Sequence, residues 1–76
     1  MADTLADRLS RTRQSKGWSA RELARRVGVS VMAVTSAEQG KHEPSLPVLR
    51  SLARALEVDV VWLTFGDRDL AEVDSE

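Results

Sequence analysis

The chain has 76 residues, 42% of them hydrophobic and 30% charged, with no cysteine and a formal net charge of -1. A chain this short supports one domain and buries only roughly 60 to 65% of the surface its unfolded form exposes, so modest stability is expected. The composition is that of a soluble globular domain. It excludes disulfides and thiolate metal sites, offers no apolar run near the ~20 residues of a membrane span, and shows no signal-like segment in MADTLADRLS, so a cytoplasmic location is expected.

Caps and glycines divide the chain into five helical segments, and strand signals are weak. The first spans about Thr4 to Ser15, with Leu5 and Leu9 one turn apart and Gly17 beyond its end. SARE then reads as a capping box: Ser19 accepts from the backbone N-H of Glu22, and Glu22 returns to the N-H of Ser19. It opens a second helix, Ala20 to Val27, with Leu23, Ala24 and Val27 on one face. Gly28 stands where a chain leaving a helix commonly turns to positive φ. Ser30 is the expected N-cap of a third helix that runs to about Gln39 and stops at Gly40. GKHEPS is a loop. Ser45 is expected to cap a fourth helix that tolerates Pro47 in its first turn and carries the stripe Leu46, Leu49, Leu52, Ala53 and Leu56. Asp59 caps a short fifth helix, VVWLTF, ended by Gly66. Residues 1-66 form the domain, and 67-76 read as an acidic, flexible tail.

The near-zero net charge hides a separation. From Arg8 to Arg54 there are ten Lys and Arg against three acids, a balance of +7, while from Glu57 onward seven acids face one Arg, a balance of -6. A polyanion responds to the local field of the basic part. On charge alone, a solvated surface accounts for the pattern equally well.

Two helices about three residues apart, with Gly in the turn, make a helix-turn-helix. Ala24, four residues before Gly28, is small enough for the third helix to cross closely, with Leu23, Val27, Val29 and Val34 filling the crossing. LARRVGVS, EQGKHEPSL and the closing LARALEVDVVWL resemble the helix-turn-helix domains of phage Cro and CI-type repressors and their bacterial relatives, over about Leu5 to Gly66. The resemblance implies an all-α, five-helix Cro/CI repressor-like DNA-binding domain. It places Ser30, Val31, Met32, Thr35 and Ser36 toward base edges in the major groove of double-stranded DNA. It assigns Ser19, Ala20, Arg21, Lys41 and His42 to phosphates, and Arg13 with Glu38 to an ion pair between the first and third helices.

The sequence departs from that family in three places. Ala20 replaces a glutamine that binds phosphate in many relatives. Ala37 replaces a large apolar residue, so a cavity is expected there unless Trp18 fills it. Val31 and Met32 lack the hydrogen-bonding groups with which Arg, Asn or Gln tell guanine from adenine. They are expected to meet thymine methyls, with Thr35 and Ser36 assisting. The competing reading packs them against a neighbouring or partner protein.

Other residues suggest less. His42 is the single histidine and has no ligand cluster around it, so no metal site is expected, and a place near phosphate suits it better. Trp62 reads as core, whereas Val61 and Phe65, four apart on another face of the last helix, suggest a homodimer surface. Arg25 and Arg26 suit DNA steering or a solvated face equally. No nucleophile elbow, phosphate loop or paired carboxylates are present, so catalysis, a cofactor and a small-molecule substrate are not expected. The sequence points to a sequence-specific transcriptional regulator, a repressor acting as a homodimer, without membrane association. The alternative is an antitoxin-like or anti-repressor interaction module that keeps the fold without reading bases.

Overall fold

The computed structural model describes residues 3-74, with side chains through residue 67. Five helices follow in order, α1 Leu5–Ser15, α2 Ala20–Val27, α3 Val31–Glu38, α4 Leu46–Leu56 and α5 Val60–Asp74. No described helix is long and apolar enough to cross a membrane. Helices α2 and α3 have eight residues each, too few to persist alone in water, so packing must hold them.

The helix starts follow from side chains that satisfy otherwise unpaired N-H groups. Thr4 accepts from Asp7 at 3.1 Å, Ser19 from Glu22 at 3.0 Å and Ser30 from Ala33 at 3.0 Å. Asp59 Oδ1 accepts from Val61 at 2.7 Å at the start of α5. Two expected caps are incomplete. Ser45 occupies the N-cap position of α4 without a side-chain capping bond, and proline in the first turn removes one N-H that would need a partner. Glu22 does not complete a capping box, because Arg25 Nη2 at 2.6 Å and Arg26 Nε at 2.7 Å draw its carboxylate outward.

Helix α3 packs on α1 and α2, α4 on α2 and α5, and α5 closes back on α1. Leu9, Leu23, Leu52, Leu56 and Leu63 are the large, fully buried side chains at the centre, with Val34 and Leu49 beside them. Ala24 is buried at the α2/α3 crossing, and the chain turns there because Gly28 takes φ 86° while its N-H and that of Val29 both return to Ala24 O, at 2.8 and 3.1 Å. Leu46, expected in the core stripe of α4, is exposed, and Trp62 is half-buried against the core.

Helix α5 breaks at Gly66, whose φ 83° and ψ 174° interrupt the helical path; beyond it the backbone is again helical to Asp74. The break is held by Arg8, 4% exposed, which donates from Nε to Leu63 O at 3.0 Å, from Nη2 to Thr64 O at 2.8 Å and from Nη1 to Asp3 O at 2.7 Å. Side chains of the acidic segment from residue 68 onward lie outside the described residues.

Trp18 does not fill the space beside Ala37. Its ring lies under the Arg26 guanidinium, 4.1 Å from the centroid, with Lys16 Nζ at 5.9 Å, a cation-π arrangement that keeps it near α2. Two hollows therefore border Ala37. One, of about 160 Å³, lies between α3 and α4. The other, of about 470 Å³, lies between the start of α1, the 40-44 loop and Phe65 of α5.

Candidate nucleic-acid interface

Helix α3 presents an apolar outer face. Val34 and Ala37 are buried, whereas Val31 is 37% and Met32 74% exposed at the start of the helix. Ala33 is exposed as well, a position that the sequence reading overlooked. Periodicity carried no signal for it, since at about 100° per residue Ala33 lies as far from exposed Met32 as from buried Val34, and only about 40° from buried Ala37. Thr35 and Ser36 are half-buried at the flank. Thr35 Oγ1 donates to Met32 O at 3.1 Å, so its proton is engaged within the helix and its oxygen is left to accept. Ser30, exposed, uses its oxygen as the cap and keeps its proton to donate.

The end of α3 is fixed from two sides. Arg13 grips Glu38 with two parallel bonds, Nε to Oε2 at 2.7 Å and Nη2 to Oε1 at 3.0 Å, and its Nη1 donates to Trp18 O at 2.7 Å. The side chains are 14% and 11% exposed, and the bonds to Glu38 hold the guanidinium protonated more firmly than usual against the opposing effect of burial. The Lys41 backbone N-H returns to Ser36 O at 3.0 Å, which folds the next loop against the helix while the Lys41 side chain stays exposed. His42 follows on the same exposed loop.

The cations divide into two groups. Arg8 and Arg11 lie on Asp3, Arg13 on Glu38, Lys16 on Glu57, and Arg25 and Arg26 on Glu22. The bond from Arg25, ahead of that from Arg26, lowers the Glu22 carboxyl from its usual range. Arg21, Lys41, Arg50 and Arg54 are exposed and have no carboxylate partner among the described residues. Arg21 stands in the first turn of α2 beside the exposed Ser19, and Lys41 just past α3, so they flank the helix-turn-helix in the chain. Val61 and Phe65, 42% and 57% exposed, lie on α5, where Phe65 borders the same hollow as Arg8 and His42.

Comparison with known proteins agrees with this geometry. A family model described as helix-turn-helix matches residues 9–63. The HTH-type transcriptional regulator DicA of Escherichia coli strain K12 is 30% identical over 66 residues, covering 87% of this chain and 49% of that protein. The HTH-type transcriptional regulator for conjugative element SXT of Vibrio cholerae is 34% identical over 67 residues, covering 88% of this chain and 31% of that protein. The chain thus spans 31% to 49% of the length of these relatives. Among solved structures, the P22 c2 repressor in complex with synthetic operator 9T superposes with a TM-score of 0.84 at 27% identity, covering 87% of this chain and 100% of that one. The SinR/SinI protein complex gives 0.79 at 27% identity, covering 95% of this chain and 73% of that one.

Proposed function

The chain belongs to the helix-turn-helix family, and from that premise we propose that it is a sequence-specific DNA-binding regulator of transcription, a cytoplasmic repressor that lays α3 in the major groove. It acts by binding and not by catalysis. The regulators among its relatives and the repressor seen on its operator support this class. The observation that carries the finer reading is Met32, 74% exposed and about 200° round the helix from Val34, which is 2% exposed. A helix anchored on one edge thus offers an aliphatic side chain on the other.

In this reading Val31 and Met32 meet thymine methyls, while Ser30, Thr35 and Ser36 flank the base edges. Ser19, Arg21, Lys41 and His42 meet phosphates; the exposed side chains of Arg21 and Lys41, without a carboxylate partner among the described residues, support that role. Two copies joined through Val61 and Phe65 of α5 would set their α3 helices about 34 Å apart, one turn of a palindromic site. Apolar contacts to methyls contribute on the order of 1 to 3 kcal/mol, and phosphates supply most of the rest, so affinity falls with salt at a logarithmic slope of about -0.9 per phosphate neutralised.

The test is substitution of uracil for thymine, one site at a time, in an operator selected from genomic fragments. Loss of the methyl is expected to weaken binding at one or two positions per half-site, and Met32→Ala is expected to remove that penalty. If every uracil is silent while operator is still preferred to random DNA, the methyl reading is wrong. If no fragment binds in preference to another at low or high salt, the exposed Met32 belongs to a protein-interaction module instead.

A further inference from the structure

We propose that the hollow of about 160 Å³ behind α3 is a binding site for a small uncharged molecule built on one aromatic ring. Its walls come from three elements: Val29 of the turn, Val34 and Ala37 of α3, and Val48 and Leu52 of α4, with His42 at the rim. Val34, Ala37 and Leu52 are buried, so this wall belongs to the core rather than to a loose surface fold. A carbon-lined space of this size suits benzene and serves water poorly, because a water molecule needs two to four polar partners.

Three features narrow the occupant. Among the described residues no lining side chain carries a carboxylate, a guanidinium or an ammonium, so a permanently charged molecule would lose hydration without gaining a partner. The hydrogen-bonding atoms among the lining side chains belong to His42 and Ser45 alone, and Ser45 makes no side-chain capping bond, which leaves room at the mouth for one polar substituent. The floor includes the methyl of Ala37, which also borders the larger hollow on its other side. A larger side chain at this position would occupy the space that the ring takes.

The site adjoins the helix that carries Met32, so an occupant shares a wall with the proposed reading face. Any effect on operator affinity rests on the DNA reading above; binding to the hollow does not, and it is tested without DNA so that the two fail separately.

Benzene and then phenol are titrated into the 76-residue chain while the methyl signals of Val29, Val34, Val48 and Leu52 are followed by NMR. Saturable shifts at these methyls and none at Val61 are expected, with phenol at least threefold tighter than benzene. At ten times the dissociation constant the thermal midpoint should rise by roughly 5 to 10 °C. Ala37→Leu should abolish the shifts, and Val48→Phe blocks the opposite wall should the first variant fail to fold. Shifts that do not saturate, or that persist in both blocked variants, overturn the site. So do signals that move with protein concentration alone, which would give the hollow to a second copy. Equal binding of benzene and phenol removes the role of the rim.

Discussion

Helix α1 sends two guanidiniums inward, and they are neutralised in different ways. Arg13 meets a side chain, the carboxylate of Glu38, and with it ties the end of α3 to α1. Arg8 meets mainly backbone, the carbonyls of Leu63 and Thr64 before the Gly66 break and that of Asp3 ahead of α1. Those carbonyls at the end of the first stretch of α5 carry the partial negative charge of a helix C-terminus, so they can balance a cation without a formal anion. The Asp3 carboxylate, 3.2 Å from Arg8 but 60% exposed, adds little. The charge that balances Arg13 resides in one replaceable residue. The charge that balances Arg8 is spread along the main chain, where no single substitution removes it.

The largest expected effect separates the two. Arg8→Met should lose about 3 to 5 kcal/mol, since the buried Leu63 carbonyl and the part-buried carbonyls of Thr64 and Asp3 lose their donor, and urea unfolding reads this directly. Against a total of roughly 4 to 11 kcal/mol for 76 residues, that approaches unfolding. Arg8→Lys sharpens the comparison: one ammonium cannot span carbonyls on α5 and at Asp3, so it should recover less than half. Full recovery would mean that charge alone matters, and that the fork geometry does not.

Arg13→Met comes next, at about 2 to 4 kcal/mol, because Glu38 is left nearly buried and unpaired. Here the double variant Arg13→Met with Glu38→Leu should regain most of the loss, which no second change can do for Arg8. A double variant as unstable as the single one would show that the pair serves packing rather than charge balance.

Gly66→Ala probes the Arg8 arrangement from the other side. Its φ 83° and ψ 174° belong almost wholly to glycine, and an added Cβ would lie 2.8 Å from Arg8 Nη1, so a loss of about 2 to 3 kcal/mol is expected. In the Arg8→Met background the same change should cost less, because part of the crowding is gone; equal costs would uncouple the two residues.

The smallest effect is at Glu57, which ends α4 at φ 61° and pairs with Lys16 at 2.8 Å. Glu57→Gly should relieve the backbone and raise stability by about 0.5 to 1 kcal/mol despite losing an exposed pair. Its hydrogen bond from Lys16, then the attraction of that charge, lowers the Glu57 carboxyl from its usual value. The pair therefore contributes above the ordinary carboxylate range near about pH 4 and fades as pH falls through the lowered value. The glycine variant should lack that acid-side loss, leaving Glu22 and its arginines as the comparable source.

Legibility divides along the same line. The caps at Ser19 and Ser30 and the turn at Gly28 were legible because each is settled within three or four residues. The Arg13 and Glu38 pair, 25 residues apart, was legible only through the family resemblance. Arg8 was not, since its partners Leu63 and Thr64 lie 55 and 56 residues away and act through carbonyls that every residue type possesses. Trp18 was misread because a nearby guanidinium, Arg26, competed for its ring more effectively than the distant space at Ala37. The returning bond of Glu22 failed for a related reason: two arginines on the next turn outmatched one N-H. In the candidate interface, the apolar start of α3 was readable, whereas the sorting of cations into paired and unpaired required the fold.

The outward face of α3 has a chemical consequence for what it can recognise. At the tip of Met32 there is carbon and a thioether sulfur, no donor and only a weak acceptor, too little to tell the carbonyl of one pyrimidine from the amine of another. Thymine and 5-methylcytosine carry the same methyl on the same ring carbon, facing the same groove. To such a side chain a methylated cytosine resembles a thymine, so on the DNA reading an enzyme that methylates cytosine would add binding positions without altering a single base pair. The repertoire of sites would then depend on covalent marking of the DNA as well as on its sequence.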